Sequence, residues 1–165
     1  MNQFVVDDAS AMDALGVQLG HALSTGAVVF LSGELGSGKT TLVRGVLRGL
    51  GITVHVRSPT YTLMENYELH GRVFQHLDLY RIRDAGELEF LGVRELDDPE
   101  RWIFVEWPER GLGHLPQPDL ELELQLRDSG RQVVSTTQSE AGRRLVAAWR
   151  SMAKDAGIPG LTVLD

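Results

Sequence analysis

Apolar residues recur along the chain at two spacings, one typical of helices and one typical of strands. Residues 12–23 carry apolar side chains at helical intervals and follow the possible cap residues Asp8 and Ser10. Residues 27–31 are apolar at every position, which predicts a central strand covered on both faces. Helical spacing returns in residues 41–50, which end at glycines. This alternation of helix and strand predicts an α/β fold.

Extended segments outnumber helices in the rest of the chain. We predict strands at residues 4–6, 54–56, 61–69, 72–79, 102–105, 120–126 and 132–136. The pair His70-Gly71 predicts a hairpin turn, and helices are expected at residues 85–91 and 139–154. Because no linker, repeat or low-complexity stretch divides the chain, we expect one domain over residues 1–165, in which residues 139–165 form a C-terminal helix and tail.

The composition narrows the possible functions. The 165 residues include 23 acidic and 16 basic side chains and have a net charge of −7, so broad coating of nucleic acid is not expected. The chain has no cysteine, which excludes disulfides, cysteine-bound zinc and thiol catalysis. The first residues lack the basic and apolar regions of a secretion signal, and we therefore expect a cytoplasmic protein without membrane contact.

A glycine-rich turn lies directly after the apolar strand at residues 27–31. Residues 33–40, GELGSGKT, match the phosphate-binding pattern GxxxxGK(S/T), and a strand followed by a helix is the context that this motif requires. The glycines allow backbone amides to surround an anion, while Lys39 and Thr40 are placed to contact phosphates and Mg²⁺. A plain surface turn is the alternative. The motif favours a three-layer P-loop NTPase fold with a mixed central sheet flanked by helices.

Two acidic residues stand at the ends of predicted strands. Glu106 follows an apolar strand at the place where P-loop proteins hold Mg²⁺; the alternative is a strand cap in solvent. Asp78 shares a strand face with His76 and is placed to orient an attacking water, while His76 or Arg81 is placed to sense phosphate charge. The alternative for this strand is a polar, half-exposed outer face. Trp107 is interpreted as a packing residue, and the alternative is an aromatic side chain at a binding surface.

The segment SPTY at residues 58–61 follows the helix after the glycine-rich turn. P-loop switch proteins place a hydroxyl that responds to the γ-phosphate in this connection, and Ser58 and Thr60 supply such hydroxyls. An ordinary turn between strands is the alternative.

Four local patterns follow one another in this chain: GELGSGKTT, SPTY, HLDLYR and VEWPE. Together they resemble the TsaE family, formerly called YjeE, over residues 1–137, and no motif position departs from the family pattern. The helix at residues 139–154 carries none of these motifs.

The resemblance implies an ATPase in the bacterial pathway that makes N6-threonylcarbamoyladenosine in tRNA, acting with the partner proteins TsaB and TsaD. ATP and Mg²⁺ are the implied ligands, and tRNA would be contacted indirectly or weakly. By resemblance, the ATP-binding residues are Gly33, Gly36, Ser37, Gly38, Lys39, Thr40, Thr41 and Arg131. Thr40 and Glu106 would hold the metal, and Lys39, Asp78 and Glu106 would be catalytic. Ser58, Thr60, His76 and Arg81 would form the switch.

Two other functions are compatible with a P-loop. A small kinase would phosphorylate a nucleotide or metabolite, but we identify neither an arginine-bearing lid nor a second substrate pocket in the sequence. An assembly subunit would bind ATP without hydrolysing it, and such a protein does not need Asp78 and Glu106 to position water and metal. Because the sequence shows no evident arginine finger, we expect weak ATPase activity without partners.

Overall fold

The computed structural model describes residues 1–53, 59, 63–92 and 98–165, which form an eight-stranded mixed sheet. The strands are β1 (Asn2–Val6), β2 (Ala27–Gly33), β3 (Met64–Leu69), β4 (Arg72–Asp78), β5 (Trp102–Glu106), β6 (Leu120–Leu126), β7 (Arg131–Thr137) and β8 (Leu161–Leu164). They lie in the order β3-β4-β5-β2-β6-β7-β1-β8. Strands β4, β5, β2 and β6 pair in parallel, and the flanking strands pair antiparallel.

Three α-helices of the described residues pack on one face of the sheet. They are α1 (Ala9–Ala22), α2 (Lys39–Gly49) and α3 (Glu140–Asp155). Side chains cap the starts of two of them: Asp8 accepts a hydrogen bond from Ala11 N at 2.7 Å, and Ser139 accepts one from Gly142 N at 3.0 Å. Buried residues of all three helices share one hydrophobic cluster with alternate residues of the central strands. The sheet flanked by helices agrees with the predicted fold class.

The opposite face of β2 is covered by shorter elements. Phe30 points to that face and packs with apolar residues of β4 and β5 and with Leu88 from the 3₁₀ helix Ala85–Leu91. A second 3₁₀ helix, Pro108–Gly111, follows β5 and contacts the first. The prediction that β2 is buried from both sides is confirmed, but α-helices form only one of its two covering layers.

The parallel strands bring their carboxyl ends to the same edge of the sheet. In the register, Glu106 at the end of β5 lies opposite both Leu31 of β2 and Asp78 of β4. Strand β7 is antiparallel to β6, so Arg131 at its start also lies at this edge. Ligands of open α/β sheets bind at such carboxyl edges. The topology therefore gathers residues that are far apart in sequence.

The structure adds one strand to those predicted. The hairpin turn at His70-Gly71 is confirmed, with φ angles of 50° and 78°, whereas the predicted strand at residues 54–56 lies outside the described residues. Strand β8 is too short for its sequence to display a period, and Arg150 holds it by donating to Leu164 O at 2.6 Å. Among the helices that the structure describes, none combines the length and the apolar character needed to cross a membrane.

Asp119 joins three parts of the fold and should contribute measurably to stability. Its Oδ2 accepts from Val28 N at 2.8 Å, and its Oδ1 accepts from Ser139 Oγ at 2.6 Å. We expect Asp119→Ala to lower the free energy of unfolding by about 1–2 kcal/mol, because two donors lose their partner. Urea denaturation measures the change, with the exposed Glu121→Ala as the matched control. Equal stability of the two variants would contradict this assignment.

Candidate nucleotide-binding site

The glycine-rich turn between β2 and α2 has the backbone of a phosphate-binding loop. Gly33, Gly36 and Gly38 have φ angles of 144°, 78° and 103°, and residues other than glycine rarely adopt this backbone conformation. A Cβ atom at Gly33 would also overlap the carbonyl oxygen of Leu124 in β6. The glycines of the motif are therefore required by the local conformation and by the close approach of the neighbouring strand.

The start of α2 is open to an anion. Its N-cap is Gly38, which offers no side chain to accept hydrogen bonds from the first helical turn, whereas Asp8 and Ser139 cap α1 and α3. The first N–H groups of a helix carry the positive end of its dipole. The backbone amides at the start of α2 are thus available to phosphate oxygens, as the motif predicts.

Lys39 is buried beneath the loop and surrounded by oxygen atoms. Its Nζ donates to Gly33 O at 2.6 Å, to Glu34 O at 2.9 Å and to Ser37 Oγ at 3.4 Å, and it lies 4.4 Å from the ring centroid of Trp107. Burial lowers the pKa of Lys39 from its ordinary value, and the charges of Glu106 and Asp78 partly oppose this effect. The cation is held by neutral carbonyls that a phosphate can replace.

Thr40 and Glu106, the two residues predicted to hold a metal ion, lie in direct contact. Thr40 Oγ1 lies 3.0 Å from Oε1 and 3.2 Å from Oε2 of Glu106. Oxygen donors of this kind suit Mg²⁺, which in nucleotide sites takes its remaining ligands from water and phosphates. In the described part of the chain no cluster of three or more His, Cys, Asp or Glu side chains could hold a metal by itself. The donor set fits a magnesium ion bound together with a nucleotide.

Asp78 lies at the end of β4, opposite Glu106 and facing the same cleft. Its Oδ1 accepts a hydrogen bond from Tyr80 N at 3.0 Å, which fixes the carboxylate at the strand end. Burial is the largest cause that raises the pKa of Asp78, and the Tyr80 N–H bond opposes it. A carboxylate with a raised pKa is a stronger hydrogen-bond acceptor for a water molecule.

These residues line one cleft of about 400 Å³. It combines the predicted phosphate-binding residues with the predicted catalytic ones, and the residues in its walls include Gly36, Gly38, Lys39, Thr40, Thr41, Asp78, Arg81 and Glu106. Ser37 is fully buried under the loop, where its hydroxyl contacts Lys39. The cleft is therefore lined by the ends of two strands, β4 and β5, by the glycine-rich loop and by the start of α2.

Arg131 lies on the other side of the phosphate loop. Its guanidinium donates to Gly36 O at 3.3 Å and to Gly130 O at 2.8 Å. A smaller groove of about 170 Å³ lies there, and its walls also include Asp8 and Met12 at the start of α1. The loop thus separates two adjoining spaces, one lined by Lys39, Asp78 and Glu106 and the other lined by Asp8 and Arg131.

The predicted switch residues have different outcomes. Ser58 and Thr60 lie outside the described residues. Arg81 lines the cleft, but His76 does not: it is completely buried below the cleft, and its Nε2 lies 2.6 Å from Oε2 of Glu106. The strand face that carries His76 and Asp78 is buried, which excludes the alternative of a half-exposed polar face.

The sequence favours a packing role for Trp107 over a binding surface, and the structure shows both: Trp107 packs against the apolar cluster around Phe30 and also lies in the wall of the cleft. Trp107 adopts the left-handed conformation, with φ of 58°, and its ring covers Lys39. Tyr80 packs on the same ring at 4.9 Å between centroids, and Arg110 donates to Tyr80 O. Strand alternation would turn Trp107 away from Glu106, so only the unusual backbone conformation brings it over the lysine. In the sequence, Pro108 directly after Trp107 is the signal that the chain changes direction here.

Comparison with known proteins identifies the family. A family model described as "Threonylcarbamoyl adenosine biosynthesis protein TsaE" matches residues 6–133, a range that contains the whole site from Gly33 to Arg131. The chain belongs to the TsaE family. The predicted resemblance is therefore confirmed, while α3 and β8 follow the matched range.

Individual TsaE proteins match over most of their length. The tRNA threonylcarbamoyladenosine biosynthesis protein TsaE of Haemophilus influenzae is 41% identical over 122 residues, which cover 74% of this chain and 77% of that protein. The protein of that name from Streptomyces coelicolor is 35% identical and is covered to 95%. A crystal structure of YdiB from Bacillus subtilis superposes with a TM-score of 0.69 at 25% identity, covering 95% of this chain and 99% of YdiB. These TsaE relatives agree with a P-loop nucleotide-binding fold.

Proposed function

We propose that this protein is a Mg²⁺-dependent ATPase that acts with TsaB and TsaD in the formation of threonylcarbamoyladenosine in tRNA. The observation that carries the proposal is the meeting of Lys39, Thr40, Asp78 and Glu106 in one cleft of a TsaE-family chain. Relatives are named tRNA threonylcarbamoyladenosine biosynthesis proteins, which supports the pathway. We also propose that residues 1–165 act as one domain, since the C-terminal β8 extends the same sheet.

The phosphates of ATP would bind at the loop and the start of α2. Lys39 would exchange its bonds to Gly33 O and Glu34 O for bonds to phosphate oxygens, because a charged acceptor is stronger than a carbonyl. Thr40 and Glu106 would hold Mg²⁺, which would supply positive charge against the β- and γ-phosphates. Backbone amides from Gly36 to Thr41 would complete the cradle.

Asp78 would orient the water that attacks the γ-phosphate. It faces the cleft beside Glu106, and its raised pKa makes the carboxylate a good acceptor for a water proton. Phosphoryl transfer depends mainly on positioning and on electrostatic stabilisation, which fits a site with one carboxylate for water and one for metal. Arg81 in the cleft wall would contact phosphate oxygens.

Arg131 and the smaller groove would receive the nucleoside part of ATP. The groove adjoins the phosphate loop through Gly36 and Thr41, and its remaining walls come from the start of α1. Its volume of about 170 Å³ lies next to the phosphate cleft, so the two spaces could hold one extended nucleotide. Arg131 would close this groove by its bond to Gly36 O.

Partner proteins are expected because the relatives act in a tRNA modification pathway and because a partner could complete the catalytic site. An isolated chain would hydrolyse ATP slowly if a partner supplies part of the stabilisation of the transition state. The net charge of −7 disfavours direct binding of the tRNA backbone, so tRNA contact would be indirect or weak. We propose Asp84 to Glu100, an acidic part of the sequence, as a contact region for the partners.

The decisive experiment measures ATP hydrolysis by the purified chain, alone and with TsaB and TsaD. We expect slow hydrolysis alone, stimulation by the two partners together, and loss of most of the stimulated rate in Lys39→Ala. The matched control is Lys154→Ala, because Lys154 is the other lysine of the chain and lies half-exposed at the end of α3. Lys154→Ala should retain the stimulated rate.

Two results would contradict the proposal. Fast hydrolysis without partners would show that the isolated chain already has a complete catalytic site. Phosphate transfer to a nucleotide or metabolite, in place of release as inorganic phosphate, would assign the cleft to a kinase. Mass spectrometry of the products, run beside a phosphate-release assay, separates these outcomes.

A further inference from the structure

Below the nucleotide cleft lies a buried pair that the proposed ATPase mechanism does not use directly. His76 is completely buried in β4, and Glu106 in β5 is only 2% exposed. The two side chains meet at 2.6 Å between Nε2 and Oε2. His76 precedes Asp78 by two residues and lies on the same strand face, yet it does not line the cleft. Within the part of the chain that the structure describes, its hydrogen bond to the site is the one with Glu106.

The direction of this hydrogen bond follows from its atoms. An ionised carboxylate can only accept, so Nε2 of His76 carries the proton and donates it to Glu106. On the opposite side of the ring, Nδ1 has no hydrogen-bond partner among the described residues. Among the described residues, the buried ring of His76 therefore makes its hydrogen bond through Nε2, to Glu106.

Glu106 is held from two directions. Thr40 Oγ1 donates from the start of α2, and His76 Nε2 donates from β4. A carboxylate bonded on one side to a fixed imidazole cannot rotate freely, and its remaining lone pairs stay directed to Thr40 and the cleft. Buried side chains hold such an orientation well, because surrounding residues prevent alternative rotamers.

We propose that His76 is a positioning residue, which orients Glu106 for a divalent cation bound with the nucleotide. The inference rests on the proposed function, since it takes Glu106 as the metal-binding carboxylate. His76 itself would touch neither the metal nor the nucleotide. Its loss would leave Glu106 buried and able to rotate, which weakens metal binding more than it weakens binding of the nucleotide alone.

The test measures metal and nucleotide affinity separately. Mn²⁺ binding to the complex of the protein with ADP is followed by electron paramagnetic resonance, and ADP binding in EDTA is followed by calorimetry. We expect His76→Leu to weaken Mn²⁺ binding by about 10–100-fold and to leave ADP binding in EDTA unchanged. His76→Gln should restore most of the Mn²⁺ affinity, because its amide nitrogen can donate from the place of Nε2.

Two further variants act as controls. Gln75→Leu changes the neighbouring buried polar residue, which lies on the other face of β4 and does not contact Glu106. We expect it to retain wild-type Mn²⁺ affinity. If His76→Leu does not fold, His76→Asn replaces it, because the shorter amide occupies the position of Nδ1 and cannot reach Glu106.

The possible results are distinct. Equal Mn²⁺ affinity of wild type and His76→Leu would overturn the inference and leave the proposed function intact. A parallel loss of ADP binding in EDTA, or failure of His76→Gln to exceed His76→Asn, would also overturn it, since both would indicate general damage to the fold. If the wild-type protein binds neither ADP nor Mn²⁺ with ADP, the proposed function itself fails.

Discussion

Replacing Asp78 with asparagine is expected to lower the partner-stimulated rate of ATP hydrolysis by at least about 100-fold while nucleotide binding is retained. Asparagine has nearly the same shape, and it can still accept the hydrogen bond from Tyr80 N that fixes Asp78. It cannot act as a charged acceptor for a water proton. The measurement is phosphate release under saturating ATP, with binding of an ATP analogue measured in parallel.

Stability distinguishes lost chemistry from lost folding in this variant. Burial raises the pKa of Asp78 above its ordinary value, so the folded protein favours the protonated carboxyl, and the ionised form costs stability at neutral pH. That cost is lost as the pH falls through the raised pKa of folded Asp78 toward the ordinary Asp value of about 4, and it is absent below that value. Asp78→Asn should therefore melt at or above the wild-type temperature at neutral pH, and this advantage should fade in acid.

Other outcomes would contradict the role given to Asp78. If hydrolysis by Asp78→Asn stays near the wild-type rate, Asp78 does not orient the attacking water, and a non-hydrolytic or differently arranged site must be considered. If analogue binding and hydrolysis fall together, Asp78 contributes to binding ATP rather than to the chemical step. Asp128→Asn, in the exposed turn between β6 and β7, is a matched control that should change neither quantity.

The sequence allows one to predict which residues line the cleft better than it allows one to predict their contacts with one another. The positions of Lys39 and Thr40 follow from the loop motif, and those of Asp78 and Glu106 follow from their place at strand ends. The contact between His76 and Glu106 depends on which strands are neighbours and on their register, and a single sequence does not display either. For this reason the sequence predicts a place for His76 in a switch near the phosphates, whereas the structure places it beneath the carboxylate of Glu106.

The position of Trp107 and the strand β8 were not predicted, because both depend on contacts between residues that are distant in the sequence. Trp107 covers Lys39 because one residue adopts a left-handed conformation, which no periodic pattern reveals. Strand β8 exists because Arg150 and β1 hold four residues at the edge of the sheet. Local patterns predict elements, whereas contacts between distant residues decide how these elements complete the site.

Glycines allow α2, the helix that carries Lys39, to pack closely against α1. A larger residue at one of these glycines should destabilise the protein strongly. Gly16 and Gly20 of α1 face Gly45 and Gly49 of α2, and a Cβ at Gly45 would lie 3.0 Å from Gly16 Cα and overlap the carbonyl oxygen of Asp13. These are backbone atoms, which cannot move away as a flexible side chain can. The helices must therefore separate to admit any side chain.

We expect Gly45→Val to lower the free energy of unfolding by at least about 3 kcal/mol. Helix propensity alone predicts the opposite sign, because valine is a better helix former than glycine by a few tenths of a kcal/mol. The sign of the change in the free energy of unfolding therefore shows whether helix propensity or steric overlap dominates. Urea denaturation measures it, with Ser151→Val as the control, since Ser151 is exposed within α3 and should change stability little. Unchanged or increased stability of Gly45→Val would mean that α1 and α2 can separate at low cost, and the placement of Lys39 would then not depend on their close contact.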